Sequence, residues 1–444
     1  MYAIANHIIN TPLKIEKELI DVVKMTFLDT LSALIIGMNE EEQKLLVQTL
    51  QTFETGGQKI PGNHATLSLM DAAFVMGTAS VAVELDEGNQ WSKGHPSVHI
   101  FPVFLLHASQ NSSYTGEQFI YDFVQSYEAT THFGKITNLK SFLHAHGTWG
   151  VLGSATALAI IHNADEDTLA RLLDIAATFA TPTQWTAALE GAQVRNVYIA
   201  ESIIGGIRAW QLTKSNFKAP NKNAEVIFGR ILGDSFDTTL PYKNEVEAIK
   251  KGYFKFHAFC RYVHVPLEVF QNLILQHEID IENIETVKVF TYERAATLHR
   301  KNPENSLSSK FSIPFALAAW ANTKRTDHGL FQKKYIENVA INQLANRITV
   351  YHDQDMDINY PDVMPAKVEI QLKSGEIFEH RQDYALGGPD KKTDFKALEE
   401  KFKGNTKLIL TDEAQDEIVQ FIKNLETETN LGRIIDIVNK GLRE

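Results

Sequence analysis

Hydrophobic residues recur at three- and four-residue spacing through most of the first 250 positions. Over residues 13–37, Ile20, Val23, Phe27, Leu31 and Leu34 fall on one face, which predicts an amphipathic helix closed by Gly37. Further helical patterns, rich in Ala, Leu and Ile, are predicted at 68–84, 116–131, 148–163, 166–179 and 195–213. Almost no period-two alternation interrupts them, so this part of the chain reads as all-α.

The pattern then changes. Segments 284–292 (IETVKVFTY), 346–353 (NRITVYHD), 366–375 and 376–382 alternate as strands do, and the last two form a hairpin whose turn is carried by Gly375. Helical patterns near 264–276, 310–322 and 332–345 lie between them, and helical periodicity returns in DEAQDEIVQFIKNLETE. The expected fold is mainly α: a large all-α helical domain built from both chain ends, with a smaller inserted α/β lid domain. Its boundaries are read as 1–250 for the first helical part, 251–400 for the α/β part and 401–444 for the returning helices. A chain of 444 residues is long enough for two cores.

Charge and cysteine content narrow the chemistry. A formal net charge of −12 argues against nucleic acid or an anionic membrane as the main partner, since both reward clustered Lys and Arg. A small anionic substrate needs only a local basic pocket. The single cysteine, Cys260, excludes an intrachain disulfide framework and cannot alone supply a cluster or a Cys-rich zinc site. The start lacks a basic region followed by an apolar one, and the longest apolar run is far short of a membrane helix. A cytoplasmic soluble protein is therefore expected.

Four stretches carry groups that a core does not need. In VELDEGNQWSKGHPSVHIF, Glu84, Asp86 and Glu87 precede Lys93, His95 and His99 on a Gly- and Pro-constrained loop, and Pro96 suits a helix's first turn, with His95 at its N-cap. In SFLHAHGTWGVLGSATALAII, His144 and His146 precede a helix expected to start at Gly147 or Thr148, whose free N–H groups attract anions. Glycines at three-residue spacing there allow close approach of a backbone or a ligand. Arg195 opens an otherwise apolar helix, a costly place for a guanidinium without an anion. In GYFKFHAFCRYVHVP, Lys255, His257, Cys260, Arg261 and His264 sit among aromatics at the expected domain boundary, as a carboxylate-binding cleft would require. Each stretch has a plainer reading, respectively a solvated loop, capping histidines, a structural ion pair and an aromatic core with snorkelling cations.

Taken in order, FLDTLSALIIG, the acidic loop ending in GHPS, HAHGTWGVLGSATALA, EGAQVRNVYIAESIIGG, FKFHAFCRYVH, SKFSIPFALA and GGPDKKTDF resemble the MmgE/PrpD family over nearly the whole chain. That family's members include 2-methylcitrate dehydratase, cis-aconitate decarboxylase and iminodisuccinate epimerase. The resemblance implies a helical domain plus an α/β lid, a homodimer, and a site in the cleft between the domains that needs no metal or other cofactor. Carried over by position, His95 matches the histidine of the loop HP motif, His144 the one opening the glycine-rich helix, Lys255 a lysine before the boundary motif, and Glu84 and Asp86 the acidic pair. Arg195 matches a lysine of the tricarboxylate-processing members. Cys260 and Phe315 stand where the decarboxylases carry histidine and tyrosine, which weakens the case for cis-aconitate decarboxylation.

The expected activity is a dehydratase-like carbon–oxygen lyase acting on a small di- or tricarboxylate. His95, His144, Asp86 and Lys255 are the candidate catalytic residues. Glu84, Lys93, His146, Gly147, Arg195, Cys260 and Arg261 are the candidates for binding substrate. Epimerisation or isomerisation in the same cleft is the nearest alternative. A metal-dependent hydrolase using the HAH and HPSVH pairs and a non-catalytic member of the fold are the others.

Overall fold

A computed structural model describes residues 1–54, 56–240, 242 and 246–443. Its helices begin where the sequence offers a cap. Ser68 accepts from the Asp71 N–H before the helix Leu69–Ser80, Thr115 and Gln118 form a capping box before Gly116–Ile136, and Asp165 caps Glu166–Ala177. The long N-terminal helix runs Lys17–Met38, so Gly37 lies inside it and does not close it. A Cβ at Gly37 would stand 1.9 Å from the Ala79 carbonyl oxygen; the glycine is there to let this helix touch Leu69–Ser80.

The chain divides into two units. The first comprises Met1–Gln184, Asn196–Tyr253 and Asp394–Glu444, and the second Trp185–Arg195 and Phe254–Thr393. In the first, the helices Pro96–Gln110 and Gly116–Ile136 pack on Gly150–Ile161, and the C-terminal helix Phe395–Thr406 packs on Lys17–Met38. This part is not purely helical, because short antiparallel pairs join Gln58–Ile60 to Asn63–Leu67, Gly88–Asn89 to Gly252–Tyr253 and Thr137–Leu139 to Gly233–Phe236. Strands of two to five residues are too short to leave an alternation in the sequence.

In the second unit a four-stranded sheet runs in the order Ile377–Gln382, Ala366–Leu372, Ile284–Thr291, Ile348–His352. The first three pair antiparallel, with Val289 opposite Val368, and the last pairs parallel to Ile284–Thr291. Gly375, at φ +91°, makes the hairpin turn. The parallel connection runs through the helices Ile313–Thr323 and Val339–Asn346, as a crossover must. Arg261–Gln276 packs on the hairpin strands. The expected helix at 332–345 is two, Lys333–Ile336 and Val339–Asn346, because Asn338 caps the second through the Ile341 N–H. Among the described residues no helix is long and apolar enough to cross a membrane.

Candidate active site

The helix Leu69–Ser80 ends four residues earlier than its apolar pattern predicts, which frees 81–95 as a loop. Glu84 and Lys93 both adopt positive φ in it, at 54° and 52°. The segment closes on itself where the Asn89 N–H donates to the Gly94 carbonyl at 2.8 Å. It then delivers His95 as the N-cap of Pro96–Gln110, with Pro96 in the first turn as its fixed φ favours.

His95 is held on its Nδ1 side. That nitrogen lies 2.6 Å from the Glu87 carbonyl oxygen and 2.9 Å from Asp86 Oδ2. A carbonyl can only accept, so Nδ1 carries the proton and, in the neutral ring, the lone pair is on Nε2. Asp86 is fully buried and Glu87 nearly so. The Glu87 carboxylate accepts from the Tyr127 hydroxyl and, at 3.1 Å, from the Ser97 N–H in the first turn of the helix that His95 opens. Burial pushes the Glu87 carboxyl up to about 7, against these hydrogen bonds.

The second histidine segment lies beside the first. Gly147, at φ +82°, turns the chain, and the α-helix starts at Gly150 with Trp149 as N-cap, later than residue 147 or 148. The Gly147 carbonyl accepts from the Thr181 N–H, and the space a side chain would need is filled by Thr183 and Tyr198. A Cβ on Gly150 would lie 2.2 Å from the His99 ring, and one on Gly153 2.4 Å from Thr130 Oγ1. These glycines serve packing within the unit. His99, wholly buried against Gly150 and Trp149, is driven down to about 3 by burial and by the neighbouring His95, so it stays neutral at physiological pH.

His146 stands between the other rings, 4.9 Å from His95 and 4.3 Å from His144 between ring centres. His144 Nδ1 accepts the backbone N–H of His146 at 3.1 Å, and the His144 carbonyl accepts from Thr183 Oγ1 at 2.7 Å. A ring whose Nδ1 accepts must, when neutral, carry its proton on Nε2. The two histidines thus hold opposite tautomers: His95 has a basic Nε2, and His144 has an Nε2–H donor. One ligand atom each of Asp86, His95 and His146 also lie within 4.8 Å of one another. The bond from His95 Nδ1 to the Glu87 carbonyl leaves Nε2 as the nitrogen through which His95 would take a proton or a metal ion. Glu84 is buried in the same loop and Lys93 is exposed.

The second unit carries cations. Arg195 is 1% exposed, with its guanidinium carbon 5.4 Å from the Phe311 ring centre, and Lys255 is fully buried. Cys260, also buried, is the N-cap of Arg261–Gln276 and donates its N–H to the Lys310 carbonyl at 3.0 Å. Arg261 directs its guanidinium at the carbonyls of Leu386 and Ala385, at 3.0 and 3.2 Å, bracing the 385–391 loop. His257 and His264 face each other at 5.0 Å, and burial lowers both, His257 to about 4 and His264 well below its ordinary value. Phe315 is buried in Ile313–Thr323.

Two models of one family match this chain: the MmgE/PrpD N-terminal domain over residues 3–231 and the MmgE/PrpD C-terminal domain over 257–427. The chain belongs to the MmgE/PrpD family. This member is also similar to a cis-aconitate decarboxylase of Homo sapiens, 22% identical over 426 residues, which is 91% of this chain and 86% of that protein. The sequence reading of this family member passed over two groups. Lys310, 3% exposed at the end of the helix Ser306–Lys310, is buried as Arg195, Lys255 and Arg261 are. It had the signal that marked Arg195, a lone cation against an apolar run. Glu87 was noted only as one of three acids, and nothing in spacing separates the acid that caps a helix from the one that faces a histidine.

Proposed function

We propose that this MmgE/PrpD protein is a cofactor-independent lyase that eliminates water from a small di- or tricarboxylate by removing a proton next to a carboxylate. The observation that carries the reading is the opposite tautomers of His95 and His144, neighbours on either side of His146. His95, fixed by Asp86 and the Glu87 carbonyl, takes the carbon-bound proton on Nε2 as general base. The carbon–hydrogen electrons form the new double bond, and the departing hydroxide takes the His144 Nε2 proton and leaves as water, so that His144 is left as an imidazolate while His95 holds the abstracted proton as an imidazolium. Proton exchange with solvent resets both rings. Negative charge grows on the carboxylate next to the reacting carbon. Lys255 and Arg195 are the groups assigned to hold substrate carboxylates, since a buried cation stabilises charge more strongly than one in water. Asp86 orients His95 and stabilises its imidazolium.

Family membership and the similarity to a decarboxylase support lyase chemistry on carboxylates. Cys260 and Phe315 favour elimination over decarboxylation, because they replace the polar groups expected of the decarboxylases. The same pair of rings also suits epimerisation, in which one removes a proton and the other returns one.

The test is a turnover screen of purified protein on 2-methylcitrate, citrate, cis-aconitate and simpler hydroxy- and amino-dicarboxylates, with and without chelator. Ultraviolet absorbance follows a conjugated double bond, and proton NMR follows exchange at the α-carbon. Chelator-resistant formation of an unsaturated acid is the expected result. Exchange without elimination would replace the lyase by an epimerase. Activity lost to chelator and restored by a divalent cation would make Asp86, His95 and His146 a metal centre.

A further inference from the structure

The loop that carries Asp86 is held from behind by a charge pair that proton transfer does not itself require. Lys401, on the C-terminal helix Phe395–Thr406, places Nζ 2.5 Å from Asp29 Oδ1, on the helix Lys17–Met38. The same Nζ lies 3.1 Å from the Leu85 carbonyl oxygen. The two side chains are 5% and 0% exposed, so the pair is out of water, and all three residues belong to the first unit.

Fold stability alone is a poor reason for such a pair. Desolvating two charges costs several kcal/mol, about what their attraction returns, and an apolar pair of similar volume commonly serves a core as well or better. The surroundings are already apolar, with Phe27, Leu28, Leu31, Leu398 and Phe402 buried on the two helices. An ammonium can do one thing here that a methionine cannot: donate to Asp29 and to the Leu85 carbonyl at once. Leu85 is joined by one peptide bond to Asp86, and the residue before it, Glu84, is in the left-handed region. The Lys401 ammonium therefore grips the peptide directly beside that bend.

We propose that Lys401 is a positioning residue for the Asp86–His95 pair, acting through the Leu85 carbonyl and neutralised by Asp29. The helix Phe395–Thr406 thereby sets the direction of the Asp86 carboxylate more than 300 residues away in sequence. Without the ammonium, the Leu85–Asp86 peptide loses a charge-assisted hydrogen bond and the Asp86 carboxylate turns from His95 Nδ1. His95 then keeps only the Glu87 carbonyl. The functional consequence rests on His95 being the base proposed above; the positioning itself does not.

The experiment uses full-length protein labelled at histidine with carbon-13 and nitrogen-15, the His95 signal being assigned by its loss in His95→Gln. Lys401→Met alone removes the cation facing the buried Asp29 and is expected to unfold more easily. The informative variant is therefore Lys401→Met with Asp29→Leu, which removes both charges together. It is expected to fold, and the nitrogen-15 signal of His95 Nδ1 should shift as the Asp86 carboxylate turns away from it. Asp86→Asn should move the same signal in the same direction. Exposed His64 and His380 should not move. An unchanged His95 Nδ1 signal in the folded double variant would overturn the proposal. A shifted His95 with unchanged turnover of a panel acid would leave the positioning standing and remove His95 from the base role.

Discussion

The loop of residues 81–95 and the 254–261 segment both collect titratable side chains, but their surroundings treat them in opposite ways. In the loop and the neighbouring His144–His146 segment, ring nitrogens are committed by named partners. His95 Nδ1 donates to the Glu87 carbonyl beside the Asp86 carboxylate, and His144 Nδ1 accepts a backbone N–H. In the second unit burial lowers His257 and His264 towards the neutral ring, and the buried basic side chains there are Arg195, Lys255, Arg261 and Lys310. The lesson is a division of labour. A group that moves a proton needs partners that set its tautomer, whereas a group that holds a carboxylate needs a fixed charge in a medium of low dielectric.

That contrast can be broken most sharply at His95. His95→Gln should lower turnover of the active panel acid by about 10²- to 10⁴-fold, the usual contribution of a positioned base, with little change in melting temperature. His144→Gln should also collapse turnover and leave the fold intact. Near-normal rates from either would end the assignment of proton transfer to the first unit. The next largest effect is on the packing that sets the rings. Gly150→Ala drives a Cβ into His99 and should cost about 1–3 kcal/mol, read as a lower melting temperature.

In the second unit the sharper variant keeps the charge and changes its shape. Arg195→Lys should raise KM by about tenfold with a smaller change in kcat, because a point charge replaces a planar fork. An equal fall in kcat at unchanged KM would make Arg195 part of the proton chemistry. The smallest effect is a slope. Glu87 has a carboxyl pKa of about 7 in the folded chain against 4.5 ordinarily, so the folded state keeps a proton that the unfolded chain releases. Stability contributed by this group is present below pH 4.5, falls as pH rises to about 7, and is level above it. Glu87→Gln has no such proton. Denaturant melts at pH 5 and pH 7.5 should show wild type losing more stability across that interval than the variant.

Much of this was legible in the chain. Periodicity located the longer helices of the first unit, such as Lys17–Met38 and Glu166–Ala177, and all four strands of the second sheet to within a few residues, but not the helices Tyr2–Asn10, Glu41–Gln51 and Phe395–Thr406. Pro96 announced the helix that His95 caps. The glycines of the 147–153 segment were legible as close contacts but not as to what they contact. His99 and Thr130 fill the spaces beside Gly150 and Gly153, and no local pattern names a partner that arrives from another helix. The same limit hid the helix start at Gly150, which follows from the turn at Gly147.

The sequence by itself determined the longer helices, the four strands of the larger sheet, their order, the family and the residue types available for chemistry. These depend on spacing along one chain, and spacing is what a sequence records. Only the tertiary structure decided which nitrogen of His95 and of His144 holds a proton, which of three neighbouring acids faces a ring, and that Lys401 reaches the peptide before Asp86. A hydrogen bond is set by a few tenths of an ångström and by direction, and both are fixed by helices that meet from distant parts of the chain.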